Sequence, residues 1–183
     1  LKKYFILYKP FLFFLTTFFL TYIALTFLYQ EYLNSFGENK LDRITQFVGQ
    51  NTKQVMQLFD KSATVEENTL EPYIKLFYSQ KYVARIIEGC NAISVIILFV
   101  AFIVAFSGKL KTTLLFIFGG SVLIYVLNVF RIAILCVLMF NYPNQKQFFH
   151  GVLFPLFIYG VVFILWLIWV NKFSRYASKT TKE

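Results

Sequence analysis

The chain has 183 residues, of which 58% are hydrophobic and 21% aromatic, while only 15% are charged. A soluble domain of this length cannot hide so much apolar surface, so lipid is the solvent for much of it. The formal net charge of +9 does not mark a nucleic-acid binder, because the excess sits beside hydrophobic runs, where it orients a membrane protein instead.

A helix needs about 20 apolar residues to cross a hydrocarbon core of about 30 Å. Four runs qualify. The first covers residues 11–29, with Pro10 at its start. Its basic, then apolar, beginning is like a secretory signal. The run is long, however, and no small-residue cleavage site follows, so it reads as a retained anchor. In the segment 30–81, Leu41, Ile44, Val48, Val55 and Leu58 recur at near-helical spacing and predict an amphipathic helix. Glu66, Glu67, Asn68 and Thr69 read as a turn, and Pro72 opens an aromatic stretch, 73–82, that periodicity leaves unassigned. A segment of this size suits a lid or a membrane-hugging cap. The second run is centred on 93–106, with a helix that could begin as early as Tyr82. The third, 114–140, is longer than a crossing needs, so it tilts or projects. The fourth, 149–170, is bent near its start by Pro155.

The expected fold is all-α: a polytopic membrane protein with about four transmembrane helices and one extracytoplasmic segment between the first two. It divides into an anchor helix (1–29), the extracytoplasmic segment (30–81), a three-helix membrane core (82–171) and a basic tail (172–183). Lys2, Lys3, Lys9, Lys109, Lys111, Lys172, Arg175, Lys179 and Lys182 all fall on one side if the chain crosses four times, opposed there only by Glu183. The positive-inside rule then puts both termini in the cytoplasm, in a bacterial cytoplasmic membrane, with Trp166 and Trp169 near the inner interface.

Alternating crossings bring three reactive residues to the opposite face. Arg131 lies inside the third run, where a charge costs at least about 2.5 kcal/mol and usually faces a bundle interior or a wet cavity. The plainer reading is a side chain snorkelling to the interface. Ser121, Tyr125 and Asn128 share its stripe, and Asn128, one turn below, is placed to orient it; its plainer role is interhelical hydrogen bonding. Cys90 stands at the entry to the second run, in Glu88-Gly89-Cys90-Asn91-Ala92. A lone cysteine there is often a small apolar filler, but basic neighbours favour its thiolate and Gly89 and Ala92 leave room for a substrate backbone. Glu88 is a candidate to hold a base, or else a rim partner for Arg85. His150, the only histidine, opens the fourth run with a side chain suited to proton transfer near neutral pH, or with an ordinary interfacial role. Cys136, five residues after Arg131, points well away from it on a helix and reads as filler. Cysteine beside histidine is the minimal activated nucleophile, and an arginine stabilises an oxyanion. No cofactor motif or metal-ligand cluster is visible, and two cysteines are too few for a disulfide framework.

The Cys90 block, Asn128-Val129-Phe130-Arg131-Ile132 and His150-Gly151, in that order on successive runs, resemble the three signature sites of the exosortase/archaeosortase family. Glu-Gly-Cys-Asn-Ala-Ile-Ser is most similar to the short F-type exosortases of Bacteroidetes. The resemblance covers residues 82–170, and Ala92 stands where many members carry glycine. It implies a membrane-embedded cysteine protease or transpeptidase with Cys90, Arg131 and His150 as catalytic residues. Such an enzyme cleaves C-terminal sorting signals of secreted proteins and transfers the product to an envelope acceptor, an amine for example. A non-enzymatic four-helix scaffold for partner docking is the alternative, and a Cys90–Cys136 redox pair a weaker one.

Overall fold

The computed structural model describes residues 2–37, 40–106 and 108–174. Arg175, Lys179, Lys182 and Glu183, which entered the orientation argument, lie outside the described residues.

Helix α1 (Lys2–Asn34) is long and continuous, with Pro10 inside it rather than at its start. Helix α2 (Arg43–Met56) is the expected amphipathic helix. Asp42 caps it by accepting from the Thr45 N–H at 2.9 Å, which satisfies one of the orphan donors of a first turn. Its buried face is Thr45, Val48, Gly49, Thr52 and Met56. Leu58 falls beyond its end and is exposed.

The expectation of an all-α fold is corrected by a three-stranded antiparallel sheet of order β1-β2-β3, formed by β1 (Thr64–Glu67), β2 (Ile74–Tyr78) and β3 (Lys81–Ile86). Thr64 pairs with Phe77 and Glu67 with Ile74 across β1 and β2. Ile74 pairs with Ile86 and Tyr78 with Lys81 across β2 and β3, with an irregularity at Leu76/Phe77. The cause is the period-two pattern of the aromatic stretch, in which Ile74, Leu76 and Tyr78 point inward and are buried. Glu66 and Glu67 therefore end a strand instead of forming a turn. Tyr82, where the second membrane helix was expected to begin, is in β3, and the expected boundary after Lys81 falls inside that strand.

The β2–β3 connection is the two-residue turn Ser79-Gln80, with φ of 48° and 62°. Both positive values are what a type I′ hairpin turn requires. Asp60 pins it by accepting from the Ser79 N–H at 2.7 Å and the Ser79 hydroxyl at 2.9 Å. The same carboxylate accepts from the Ser62 N–H at 2.9 Å and the Ser62 hydroxyl at 2.8 Å.

Helix α3 (Ile93–Ala105) is apolar but short, whereas Tyr8–Asn34, Leu110–Asn141 and Pro143–Phe173 are each long and apolar enough to cross a membrane. The helix α4 (Leu110–Asn141) reaches about 48 Å at 1.5 Å per residue, more than the hydrocarbon core. Leu110, Leu114, Phe118, Val122, Val126, Phe130 and Ile134 are exposed along one stripe of it at every fourth position, a lipid-facing edge. Its opposite face, near its C-terminal end, carries the cap. Val48 and Met56 of α2, Ile74, Leu76, Tyr78 and Ile86 of the sheet, and Ile132, Ala133 and Cys136 of α4 form one buried cluster.

Contacts between helices fix their alternating directions. Near the start of α1, Phe14 packs on Phe102 and Phe106; near its end, Tyr29 accepts from Asn91 Nδ2 at 2.7 Å. Gly120 of α4 lies against the Phe99 ring of α3, where a Cβ would overlap it. The last span, Pro143–Phe173, returns along both helices. Its Trp166 stacks on Phe102 at 4.2 Å, and Trp169, fully buried, donates from Nε1 to the Phe106 carbonyl at 2.9 Å. Trp169 therefore sits at the end of the bundle near Lys109 and Lys172, facing the interior rather than lining the rim.

Candidate active site

At the other end of the bundle, a cavity of about 450 Å³ opens under the cap. Cys90, Arg131 and His150 all line it, together with β3, the C-terminal part of α4 and Lys146.

Cys90 closes the 3₁₀ turn Glu88–Cys90, its N–H donating to the Ile87 carbonyl at 2.9 Å. The turn is held from behind by Asn91, which is buried to 1% exposure. Asn91 Nδ2 donates to Tyr29 of α1 and, at 3.2 Å, to Thr45 of α2, while Oδ1 accepts from the Ile93 N–H at 3.0 Å. One side chain thus ties three helices to the residue beside the cysteine. Ala92 then adopts φ 67°, ψ 1°, a left-handed conformation that favours glycine.

Asn128 is also buried to 1%. Its Nδ2 donates to the Cys90 carbonyl at 2.8 Å, and its Oδ1 accepts from Arg131 Nη1 at 3.3 Å. The asparagine therefore bridges the cysteine turn and the arginine, orienting both. Arg131 Nε is buried without a hydrogen-bond partner among the described residues, a cost normally avoided. Cys90 and Tyr159 lie within electrostatic reach of the guanidinium. His150 is exposed in a π-helical turn, Phe149–Leu153. Pro155 has no N–H to give the Gly151 carbonyl, so the helix is widened where it presents the imidazole.

Glu88 does not join this group. It lines a separate hollow of about 300 Å³ with Asn34, Lys40 and Asp42. Its alternative partner, Arg85, lies over the Tyr73 ring at 5.3 Å. Cys136 is fully buried between α4 and the cap, as filler, but it also reaches the cavity wall that Arg131 lines. Both cysteines are free thiols. Sequence reasoning missed Tyr29, Thr45, Lys146 and β3 as parts of the site's surroundings. The one available signal was Asn91, a polar residue between the cysteine and a long apolar run.

The fold and cavity define a multi-pass membrane protein with a capped, largely apolar cavity into which a cysteine, an arginine and a histidine are brought together. The chain belongs to the transmembrane exosortase family, whose model matches residues 6–172. The match takes in α1 and the cap as well as the helices that carry the three motifs. No curated protein and no solved structure matches the chain significantly. Membership points to a membrane-embedded sorting transpeptidase of the cysteine type, acting on proteins with C-terminal sorting signals.

Proposed function

We propose that this protein is a cysteine transpeptidase that cleaves the C-terminal sorting tail of secreted proteins at the outer side of the cytoplasmic membrane. The observation that carries the reading is the single cavity lined by Cys90, Arg131 and His150, with Asn128 joining the first two. Cys90 Sγ attacks the scissile carbonyl carbon as His150 takes the thiol proton. The carbonyl oxygen becomes an oxyanion met by Arg131, whose Nε is a donor with no partner of its own among the described residues. The C–N bond breaks, the leaving amine takes the proton from His150, and a thioester remains. An amine acceptor, or water, attacks that thioester. Its proton returns through His150 to the thiolate, and the product leaves. Likeness to the short F-type members belongs to the same reading, as does a topology of four crossings with both termini cytoplasmic.

Cys90→Ala and His150→Ala abolish processing of tail-bearing proteins in the producing cell while leaving the protein in its membrane. Arg131→Lys fails as well, because an ammonium lacks the planar fork. The assay is the mass of the secreted proteins with and without each variant, and near-normal processing by Cys90→Ala ends the proposal. Iodoacetamide labelling in a Cys136→Ala background tests activation directly: at neutral pH Cys90 reacts faster with His150 present than with His150→Ala.

A further inference from the structure

β3 is an edge strand: the sheet order leaves it paired with β2 alone. Consecutive residues of and after the strand, Ala84, Arg85, Ile86 and Ile87, line the cavity together with Cys90. Side chains of successive strand residues point to opposite faces, so four in a row can border one cavity only where the edge of the backbone faces it. Among the described residues, no backbone group of β3 itself bonds another element, while the Ile87 carbonyl just past its end takes the Cys90 N–H. Such a row of unpaired N–H and C=O groups is a template for another strand. The other edge, β1, is only four residues long and carries Glu66 and Glu67, which blunts it.

We propose that the free edge of β3 is the peptide-binding site, taking the substrate segment around the scissile bond as an added antiparallel or parallel strand and delivering it to Cys90. This rests on the cysteine-nucleophile reading and names how that site holds its substrate. Three observations select a peptide strand over other occupants. The nucleophile follows the strand by four residues, so a chain paired along β3 runs directly to it. A second hollow of about 400 Å³ adjoins the cavity, sharing Tyr82, Met139 and Lys146 with it, and lies beside Lys81, Tyr82 and Val83 of the strand, which leaves an extended segment room along β3. Lys81, Arg85 and Lys146 line these hollows and no aspartate or glutamate does, so the rim suits a neutral or acidic peptide and repels a basic one. Backbone pairing supplies affinity that does not depend on sequence, which suits a short recognition segment preceding a membrane helix.

The test uses the full chain in detergent, in a Cys136→Ala background. Three probes are compared at Cys90: iodoacetamide, methyl vinyl sulfone, and an acetylated tetrapeptidyl vinyl sulfone with one aspartate. The peptidyl probe is also made in four forms, each N-methylated at one amide. Peptidyl labelling exceeds that of methyl vinyl sulfone at least about ten-fold, since several backbone hydrogen bonds form together. N-methylation reduces the gain about ten-fold at alternate amides and little at those between, the signature of a strand paired on one side. Equal labelling by peptidyl and methyl probes, or equal labelling by all N-methyl forms, overturns the edge-binding proposal. In either case, fast iodoacetamide labelling that needs His150 keeps the nucleophile reading intact. Slow iodoacetamide labelling indifferent to His150 removes both.

Discussion

Asn128 and Ala92 show how single residues set the cysteine turn. Asn128 serves the Cys90 carbonyl and Arg131 at once, so Asn128→Leu, similar in volume, leaves both groups short of a partner. Each buried group left unpaired costs about 1–3 kcal/mol, and the expected result is loss of processing together with a lower unfolding temperature in detergent. Asn128→Asp keeps the acceptor for Arg131 but loses the donor to Cys90, and it is expected to recover stability more than activity. If Asn128→Leu processed normally, the bridge would have no part in the reaction. Ala92 carries a Cβ at φ 67°, a conformation that costs a non-glycine residue about 1 kcal/mol. Ala92→Gly is therefore expected to raise the unfolding temperature, net of glycine's larger unfolded-state entropy, and an unchanged or lower value would dismiss the strain. That Cys90, Arg131 and His150 meet at one cavity was legible because long apolar helices alternate in direction, which fixes the end at which each residue emerges. Glu88 was not. In a 3₁₀ turn successive residues are about 120° apart, so Glu88 and Cys90, two apart, face different hollows.

At the scale of elements, α2 was readable from its 3.6-residue period and the sheet was not. The strands are four to six residues long, and the Ser79-Gln80 turn lacks the asparagine and glycine that usually announce a type I′ hairpin. The side chain that holds it, Asp60, comes from 19 residues upstream, beyond any local pattern. Its ionised carboxylate is the form that accepts from Ser62 and Ser79. These hydrogen bonds, the Ser62 N–H first among them, hold its pKa down from 3.8 to about 2. A depressed pKa means that the stabilisation is complete above the ordinary carboxylate range and is lost as pH falls through the folded value. The unfolding temperatures of the native chain and of Asp60→Asn are therefore expected to differ at pH 6 and to converge as pH falls toward 2. A gap that persists unchanged at pH 2 would show that ionisation has no part in holding the turn. Gln80→Gly, which removes a Cβ at φ 62°, is expected to stabilise the hairpin by a further fraction of about 1 kcal/mol.

For the whole molecule, the decisive quantity is the length of α3. Its 13 residues rise about 20 Å, while the hydrocarbon core is about 30 Å thick. The far end of α3 is anchored beside Trp169, which donates to the Phe106 carbonyl, at the end of the bundle that carries Lys109 and Lys172. If that end lies at the inner interface, Cys90 sits about 10 Å below the outer one. Arg131, 21 residues after Leu110 on α4, rises up to about 32 Å from that end, and Asn128 joins it to the Cys90 carbonyl, so it stands over the recess, beneath the cap. Under the proposed four-crossing topology, the short helix and the long one are two sides of one arrangement: a site recessed into the outer leaflet, with the proposed β3 edge leading to it from above and a substrate's own membrane helix reaching it from the side. It also explains why hydropathy alone located four apolar runs without revealing the recess, since a window of apolar residues reports composition and not the level at which a helix stops. The arrangement requires α3 to cross. In a Cys90→Ala, Cys136→Ala background, Lys81→Cys is expected to react with a membrane-impermeant maleimide on intact spheroplasts, whereas Lys109→Cys reacts only after the membrane is opened. If Lys109→Cys reacted on intact spheroplasts as fast as Lys81→Cys, α3 would be a re-entrant segment, the loop after it would lie on the outer side, and the recessed site would have to be reached by a chain that crosses three times instead of four.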